Sequence, residues 1–395
     1  MSKFKKNLIA LMVGLMIAVL AACGDDAANS ESDTIKIGAL LPDSGVYASL
    51  GQNLNKGMEL YFESIDWEVE GKNIEIINED TEADTQVALR SLRKLIEQDE
   101  VDILTGTIST AVAYAIRDEV DSKQIPFLAS HAGGNDLTRE SRSDYIWRSS
   151  FSSWQIGSSL GEWAYENVGD EIYLIAADYA FGHEATEAFK EEFEKAGGTI
   201  TDEVYPPLGN TDYASYLTSI NDSDADAVYG FFAGSDAINF VSQYEEYGLK
   251  DKFPLLGSGW LVSEDVRPEQ GTAPEGINAS IFWDYSLETE ENQEFIEAYE
   301  EMFDERPSIE SLEGYDAARI IAETIQDLDG DVTDPDAFVE AMSAIEFVSP
   351  RGPIKFDLDT HHIIQNMYIV ENEVVGDETE NKIIHTIEDV KDPGQ

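Results

Sequence analysis

Hydrophobic and polar positions in the first half of the chain repeat one unit, a short apolar run followed by apolar residues at helical spacing. Such runs are typical of buried parallel strands, and spacings of three and four residues are typical of one buried helix face. The predicted strands are Thr34–Leu41, Asn73–Asn78, Val101–Leu104 and Ile125–Leu128. The helix faces between the first three are Leu54, Met58, Phe62 and Ile65, then Leu89, Leu92, Leu95 and Ile96. This βαβαβαβ order predicts a parallel sheet covered by helices on both faces.

The same alternation restarts after Arg148 and predicts a second α/β block. The predicted helices are Gln155–Asn167, Glu184–Ala196, Tyr213–Asn221 and Asp236–Tyr247. Gly197-Gly198 is a typical signal for the end of the second of these helices. The predicted strands are Ile172–Ala176, Thr199–Tyr205, Ala227–Phe232, Phe253–Leu256 and Gly276–Trp283. With 395 residues and 42% apolar content, the chain can form two domains of ordinary size.

The last third of the chain predicts helices first and strands afterwards. The helices are Glu291–Phe303, Ser311–Leu328 and Asp334–Ile345, and the strands are Gly352–Phe356, Asn366–Val370 and Lys382–Thr386. We expect the helices to return to the first block and the strands to the second. The predicted fold class is therefore α/β, with two doubly wound parallel-sheet lobes, residues 34–150 plus 284–353 and residues 151–283 plus 354–390. The three crossings near 150, 284 and 353 would form a three-strand hinge beside a cleft.

The amino terminus predicts export and lipid anchoring. Lys3, Lys5 and Lys6 precede the apolar stretch Leu8–Leu20, and Cys23 follows soon after. Residues 1–22 therefore read as a secretion signal, and they resemble a bacterial lipoprotein signal in which Cys23 becomes the lipidated first residue. The alternative is an ordinary signal with an unrelated cysteine. Residues 23–33 are small, polar and acidic, which predicts a flexible tether to the outer face of the cell membrane.

The charge of the chain excludes one class of partner. Lys and Arg total 25 against 80 Asp and Glu, a formal net charge of −55. A surface this acidic repels nucleic acid and anionic lipid headgroups, so we predict no nucleic-acid partner. It is consistent with a habitat of high salt or unusual external pH, or with an ordinary solvated surface.

Two consecutive strand-to-helix turns carry the candidate chemistry, Val101–Ala115 and Ile125–Thr138. In each, the apolar run breaks into glycine and hydroxyl-bearing residues, and Ser109 and Thr110 come just before a helix. In open parallel sheets the ligand crevice lies beyond the carboxyl ends of the strands, and helix-opening N–H groups favour a carboxylate. We therefore predict a site for a small anionic or zwitterionic solute. The alternative is that Ser109 and Thr110 only cap the helix.

No motif in the sequence supports an enzyme. The sequence lacks G-x-S-x-G, H-E-x-x-H, G-x-x-x-x-G-K-[ST] and C-x-x-C patterns. His361-His362 could suggest a metal, but adjacent side chains diverge on a strand, so a solvated turn is the preferred interpretation. We predict a non-enzymatic binding protein without cofactor or metal.

The opening IKIGALLPDSGVYASLGQNLNKGMELYF resembles that of solute-binding proteins of branched-chain amino acid ABC transporters, and GTISTAVAYAI, DYAFG, AGSDA and PRGPIKFD recur in matching order. This resemblance to the Leu/Ile/Val-binding kind covers essentially the whole chain after the signal. It implies a type I periplasmic binding fold whose two lobes close on a ligand without chemistry. It also implies delivery of an amino acid or related organic carboxylate to ABC permease subunits, and we expect a monomer. A ligand-sensing receptor subunit of the same fold is the alternative.

Site residues follow from the resemblance position by position. Thr110 would contact the charged end of the ligand, with Ser109 beside it. The remaining positions implied are Ser44, Tyr47, His131, Ala132, Gly133, Phe181, Ala233, Asp236 and Trp260. Relatives that bind amino acids commonly place an acid in the turn that reads Gly257-Ser258-Gly259-Trp260 here. That acid is missing, Asp178 or Asp236 could replace it, and relatives that bind aromatic carboxylates fit equally well.

Overall fold

A computed structural model of the protein describes residues 34–140 and 142–394. The predicted signal, Cys23 and the tether to residue 33 lie outside the described residues, so lipid anchoring stays a prediction. Among the helices of the described part, none combines the length and the apolar character needed to cross a bilayer.

The first half contains all four predicted strands. Its strands are β1 (Thr34–Leu41), β2 (Glu68–Val69), β3 (Lys72–Asp80), β4 (Ile103–Gly106), β5 (Phe127–Ala129) and β6 (Ile146–Arg148). Its helices are α1 (Ala48–Ser64), α2 (Thr85–Lys94) and α3 (Thr110–Lys123), with a π-helical turn at Leu95–Asp99 and a 3-10 turn at Asn135–Leu137. The strand order is β2-β3-β1-β4-β5-β6, and β1, β4, β5 and β6 run parallel.

The second half repeats the arrangement, as the pattern predicts. Its helices are α4 (Ser153–Asn167), α5 (Ala180–Ala196), α6 (Ala214–Asn221), α7 (Gly234–Glu246) and the short α8 (Arg267–Gln270). Its strands are β7 (Glu171–Ala176), β8 (Thr199–Val204), β9 (Ala227–Phe231), β10 (Leu255–Ser258) and β11 (Asn278–Ile281), with a 3-10 turn at Gly259–Val262. The order β11-β10-β9-β7-β8 is parallel throughout. Gly197 ends α5 at a φ of 119° that favours glycine.

The last third supplies α9 (Glu290–Phe303), α10 (Ile309–Asp327), α11 (Pro335–Ser343), β12 (Glu346–Ser349), β13 (Gly352–Asp357), β14 (His362–Val375) and β15 (Glu378–Val390). Helix α10 packs against α1 of the first half. Strand β14 is antiparallel to β11 and β15, and its first residue pairs with β6. The fold is therefore mixed α/β, with two parallel-strand sheets joined through β14.

The lobe bounds stay predictions, although two details bear on them. The expected crossing near 353 falls inside β13, which pairs with β12 on one side and with β14 on the other. Strands β14 and β15 are also longer than the predicted pieces, because their alternation extends into polar residues that the apolar runs did not mark.

The interpretation of His361-His362 as a solvated turn is wrong. His361 and His362 are both buried. His361 stacks on Trp147 at a ring-centroid distance of 4.0 Å. His362 contacts Arg148 Nε at 2.9 Å and Gln155 Oε1 at 2.8 Å. The pair lies at the start of β14, where the two sheets meet, and its role there is structural.

Candidate ligand-binding site

A cavity lies at the ends of strands from both sheets. The space between its lining atoms is about 320 Å³, part of it continuous with solvent. Its lining residues come from the strand-to-helix turns of both halves: Tyr47, Leu50, Ile108, Thr110, His131, Gly133, Phe151, Tyr179, Phe181, Phe231, Ala233 and Trp260. Most of the predicted site residues are in this set, so the two turns singled out in the sequence do meet at one cavity.

The backbone conformation of Gly106, at the end of β4, allows α3 to begin beside the cavity. Gly106 ends β4 at a φ of 110°, and a Cβ there would lie 2.5 Å from the carbonyl oxygen of Leu40. A glycine is therefore required for the chain to leave β4 against β1. Ser109 is the N-cap residue of α3 and Thr110 its first helical residue.

The first turn of α3 is open to an anion. The expectation that a Ser or Thr hydroxyl caps this helix is wrong, because the N-cap Ser109 makes no side-chain cap hydrogen bond. The N–H groups that open a helix therefore keep their capacity for another acceptor. Thr110 is buried and lines the cavity beside them. A carboxylate at this point would also be favoured by the helix dipole.

His131 forms the second polar feature of the cavity. Its Nδ1 lies 2.5 Å from Glu313 Oε2. Burial lowers the pKa of His131 to about 4, against the opposing effect of Glu310 and Asp265. Burial also holds the pKa of Glu313 well above its usual range, with Arg351 acting in the other direction. An uncharged imidazole is therefore presented to the cavity.

Aromatic rings form a second wall, which contacts His131 through Phe151 and Trp260. Phe151 and Trp260 have ring centroids 4.5 Å apart, and Phe181 and Phe231 are also 4.5 Å apart. Tyr179 stacks near Phe181 at 6.4 Å. Rings in tilted and stacked contact of this kind stabilise one another and would accept another flat ring.

Gly133 lies where the polar and aromatic walls meet. A Cβ at this position would lie 2.4 Å from Phe151 Cε2 and 2.6 Å from Phe181 Cε2. Its lack of a side chain thus gives the two phenylalanine rings their room. Its carbonyl oxygen accepts hydrogen bonds from Ser153 N and Ser153 Oγ, which ties this turn to the start of α4.

A buried carboxyl group, that of Glu310, lies behind the aromatic wall and positions Trp260 through a hydrogen bond. The Trp260 indole donates to Glu310 Oε1 at 2.9 Å, and Ser308 Oγ donates to Glu310 Oε2 at 2.8 Å. Burial raises the pKa of Glu310 to about 7, and Asp265 adds to the effect while His131 opposes it.

Other predicted site residues lie off the cavity wall. Ser44 is exposed and donates to Asp80 Oδ2 at 2.8 Å. Ala132 is buried behind the turn, with its N–H bonded to the Thr107 carbonyl at 2.9 Å. Ser109 is next to the lining residue Thr110 but is not itself among the lining residues.

Neither proposed replacement for the missing acid lines the cavity. Asp236 is buried and accepts from Gly209 N at 2.9 Å, while its Oδ1 has no partner among the described residues. Asp178 is exposed and pairs with His183 at 2.9 Å. Within the described ranges, the lining set contains no carboxylate that could meet an ammonium group.

Sequence reasoning missed five of the lining residues and also the acids behind them. The missed lining residues are Leu50, Ile108, Phe151, Tyr179 and Phe231. Tyr179 belongs to the same DYAFG motif as Phe181, and Phe151 directly follows the strand end at Arg148-Ser149-Ser150, so each carried a positional signal. Glu310 and Glu313 are three residues apart, a spacing that places both on one helix face. That spacing was the available signal. In the ranges 34–140 and 142–394, no group of three His, Cys, Asp or Glu is arranged to hold a metal ion.

Comparison with known proteins gives consistent results. The profile of the family described as Periplasmic binding protein matches residues 34–378. A solute-binding protein of an ABC transporter from Rhodopseudomonas palustris BisB5, solved with 3,4-dihydroxybenzoic acid, is 33% identical at a TM-score of 0.88, covering 92% of this chain and 99% of that one. A second from R. palustris, solved with benzoate, is 30% identical at a TM-score of 0.84, covering 90% and 98%. Leu/Ile/Val-binding protein homolog 6 of Brucella melitensis is 28% identical over 97% of this chain and 99% of its own length.

Proposed function

Since the chain belongs to the periplasmic binding protein family and is an extracytoplasmic ABC transporter solute-binding protein, we propose that its cavity captures a small aromatic carboxylate. The observation that carries this proposal is the division of the cavity into two walls. Thr110, His131 and the opening N–H groups of α3 offer donors to a carboxylate. Phe151, Phe181 and the other rings offer flat apolar contact to an arene.

The absence of a carboxylate from the described lining residues favours an aromatic acid over an α-amino acid. An ammonium group taken from water into this cavity would lose its hydration without gaining a charged partner, and burying an unpaired charge is costly. A benzoate has no such group. Relatives solved with benzoate and with 3,4-dihydroxybenzoic acid support the same choice.

A thermal-shift screen of the purified protein tests the ligand class. We expect benzoate and hydroxybenzoates to raise the melting temperature, because a ligand that binds only the folded state stabilises it by about 2.7 kcal/mol at a hundred times its dissociation constant. Leucine, isoleucine and valine serve as the comparison set. A shift with these amino acids and none with the benzoates would contradict the proposal.

Capture would proceed by closure of the two predicted lobes about three crossings near 150, 284 and 353. The hydrogen bond from Trp260 to Glu310 joins residues of different predicted lobes, so it would form on closing. Small-angle scattering should show compaction when benzoate is added to the free protein. Identical curves with and without saturating benzoate would count against closure.

Cys23 would anchor the protein beside the permease to which it delivers its ligand. Cys23 is the only cysteine of the sequence, and lipidation would explain a single thiol in an exported protein. Replacing Cys23 with Ser should release the protein from the membrane and abolish lipid labelling in cells. Retention and labelling that survive the substitution would contradict the anchor.

A further inference from the structure

Helix α10 carries three buried acids at a spacing of three residues, Glu310, Glu313 and Asp316. Two of them have several partners. Glu310 accepts from Trp260 and Ser308, and Asp316 pairs with Arg351 at 3.0 Å and accepts from Ser349 at 2.7 Å. Glu313 has a single partner, His131, and its Oε1 has none among the described residues. Among the described residues, the only hydrogen-bond partner of this acid is therefore the cavity residue His131.

The number of protons on the His131–Glu313 pair determines whether Nε2 of His131 presents a hydrogen-bond donor or an acceptor to the cavity. A proton on Glu313 Oε1 would have no acceptor among the described residues, which disfavours that arrangement. With two protons placed otherwise, one lies in the short contact between Oε2 and Nδ1, and the other is on Nε2, whichever partner holds the shared proton. Nε2 is then a donor. With one proton, that proton occupies the contact and Nε2 is a bare acceptor. His131 lines the cavity, and Nε2 has no hydrogen-bond partner among the described residues, so this atom is left for a ligand.

Burial selects the two-proton state. That state has no net charge, whereas one proton leaves the pair negative and three make it positive. An uncompensated charge at a fully buried site is costly. The facing groups are Glu310 and Asp265 around His131, and Asp316 with Arg351 around Glu313. Glu310 and Asp265 disfavour a negative charge at the His131 end, whereas Arg351 favours one on Glu313 more strongly than Asp316 opposes it. Burial, the largest effect on both groups, therefore selects the neutral pair. The unpartnered Oε1 of Glu313 also fits a neutral carboxyl better than an ionised one.

Three contacts fix the direction in which the ring points. Glu313 holds Nδ1, Phe151 meets the imidazole edge-on at 5.2 Å, and Trp260 does so at 5.6 Å. We propose that Glu313 is a positioning residue that holds His131 with its Nε2–H turned into the cavity, so that this end of the cavity selects a carboxylate. The proposal rests on the proposed function and specifies which protein atom meets the anionic end.

Histidine NMR tests the protonation directly and needs no ligand. Long-range proton–nitrogen spectra of the purified protein at neutral pH resolve the ring nitrogens of its five histidines. His131 signals are identified by their loss in the His131→Phe variant. We expect a protonated Nε2 on His131. A bare Nε2 with the proton on Nδ1 would overturn the proposal, whatever the ligand is.

A matched pair of variants tests the selection. Glu313→Gln keeps a group that can donate to Nδ1, while Glu313→Met fills similar space without a hydrogen bond. The readout is the ratio of affinities for benzoate and benzamide, measured by calorimetric titration. We expect Glu313→Gln to stay within a few-fold of the wild-type ratio and Glu313→Met to lose about tenfold or more, which corresponds to loss of one hydrogen bond to a charged group. Asp327→Asn changes the charge at an exposed site of the same helix and should leave the ratio unchanged.

The outcomes separate this proposal from the proposed function. If wild-type protein binds neither benzoate nor benzamide, the proposed ligand class is wrong. The positioning role of Glu313 is then tested by the NMR result alone. If benzoate binds and Glu313→Met keeps the wild-type ratio, the positioning role is overturned. Should Glu313→Met fail to fold, an Nε2 proton on His131 together with a wild-type ratio in Glu313→Gln supports the proposal, and a bare Nε2 contradicts it.

Discussion

The two walls of the cavity differ in whether backbone groups or side chains form their contacts. The polar wall, at Thr110 and His131, depends on the opening of α3 and on a turn after β5, so much of its donor capacity belongs to the backbone. The aromatic wall depends on side chains, with Phe151, Phe181 and Trp260 packed ring against ring. Backbone donors survive most substitutions, whereas a wall of side chains changes with each residue. Under the proposed function, the polar wall would therefore require a carboxylate, and the aromatic wall would determine which carboxylate binds.

Truncating the aromatic wall should have the largest effect. Phe181→Ala removes a buried ring, which typically costs about 3–5 kcal/mol of unfolding free energy, and it should also abolish most of the affinity for benzoate. Phe193→Ala is the matched control, because Phe193 is buried on the same helix but does not line the cavity. Chemical denaturation should show similar destabilisation of both variants, and calorimetric titration should show lost affinity only for Phe181→Ala. Equal affinity in the two variants would remove Phe181 from the site.

The acid behind Trp260 should make stability depend on pH. Glu310 has a folded-state pKa raised by burial from 4.5 to about 7. A raised carboxyl pKa contributes stability below the unfolded value, and that contribution is lost as the pH rises through the folded value. Glu310 alone should therefore cost the wild type roughly 3 kcal/mol of unfolding free energy across this window, at about 1.4 kcal/mol for each pKa unit. Glu313 and Asp265, whose pKa values burial also raises, add to the same slope.

Glu310→Gln removes one of these ionisable groups and should make that dependence shallower. Urea denaturation across the same window measures the effect, with Asp327→Asn as the exposed control on the same helix. A wild-type slope that persists in Glu310→Gln would assign the pH dependence to another group, such as Asp265.

The polar wall should respond to Thr110→Ala with a smaller change, in affinity rather than in stability. The variant loses one hydroxyl donor and keeps the backbone donors. Loss of a hydrogen bond to a charged group costs roughly 1.5–3 kcal/mol, or about 10- to 150-fold in the dissociation constant for benzoate. Calorimetry and melting together check this expectation. A lowered melting temperature with unchanged affinity would return Thr110 to a structural role.

Ser109→Ala should have the smallest effect of all. Loss of an effective cap costs about 1 kcal/mol, but the Ser109 side chain makes no cap bond, so we expect less than about 0.5 kcal/mol, as for other substitutions away from specific contacts. Ser152→Ala is the comparison, because Ser152 accepts from Gln155 N at 3.1 Å in a capping box at the start of α4. Equal destabilisation in the two variants would show that Ser109 caps its helix in solution.

Local pattern predicted much of the fold and the polar part of the candidate site, while the resemblance added Tyr47, Phe181, Ala233 and Trp260. The apolar runs gave the positions of the strands because a buried parallel strand needs apolar residues on both faces, and Gly197 marked the end of α5. Thr110, His131 and Gly133 could be named from the sequence because they follow strand ends, and these ends meet at one edge of a parallel sheet. Phe151 and Tyr179 were not predicted, because a single aromatic residue in a sequence is as consistent with a position in the core as with one in a binding site.

The sequence by itself determined the elements, their order and the turns that bear the polar wall, because these depend on residues near one another in the chain. Only the tertiary structure decided that the cavity carries no acid on its described walls and that acids stand behind them. Glu313 meets His131 across 182 positions of sequence, and Glu310 meets Trp260 across 50. Such contacts depend on how α10 packs against α1 and on where the two sheets meet. No local spacing encodes that packing, so the partners of His131 and Trp260 emerge only when the chain is folded.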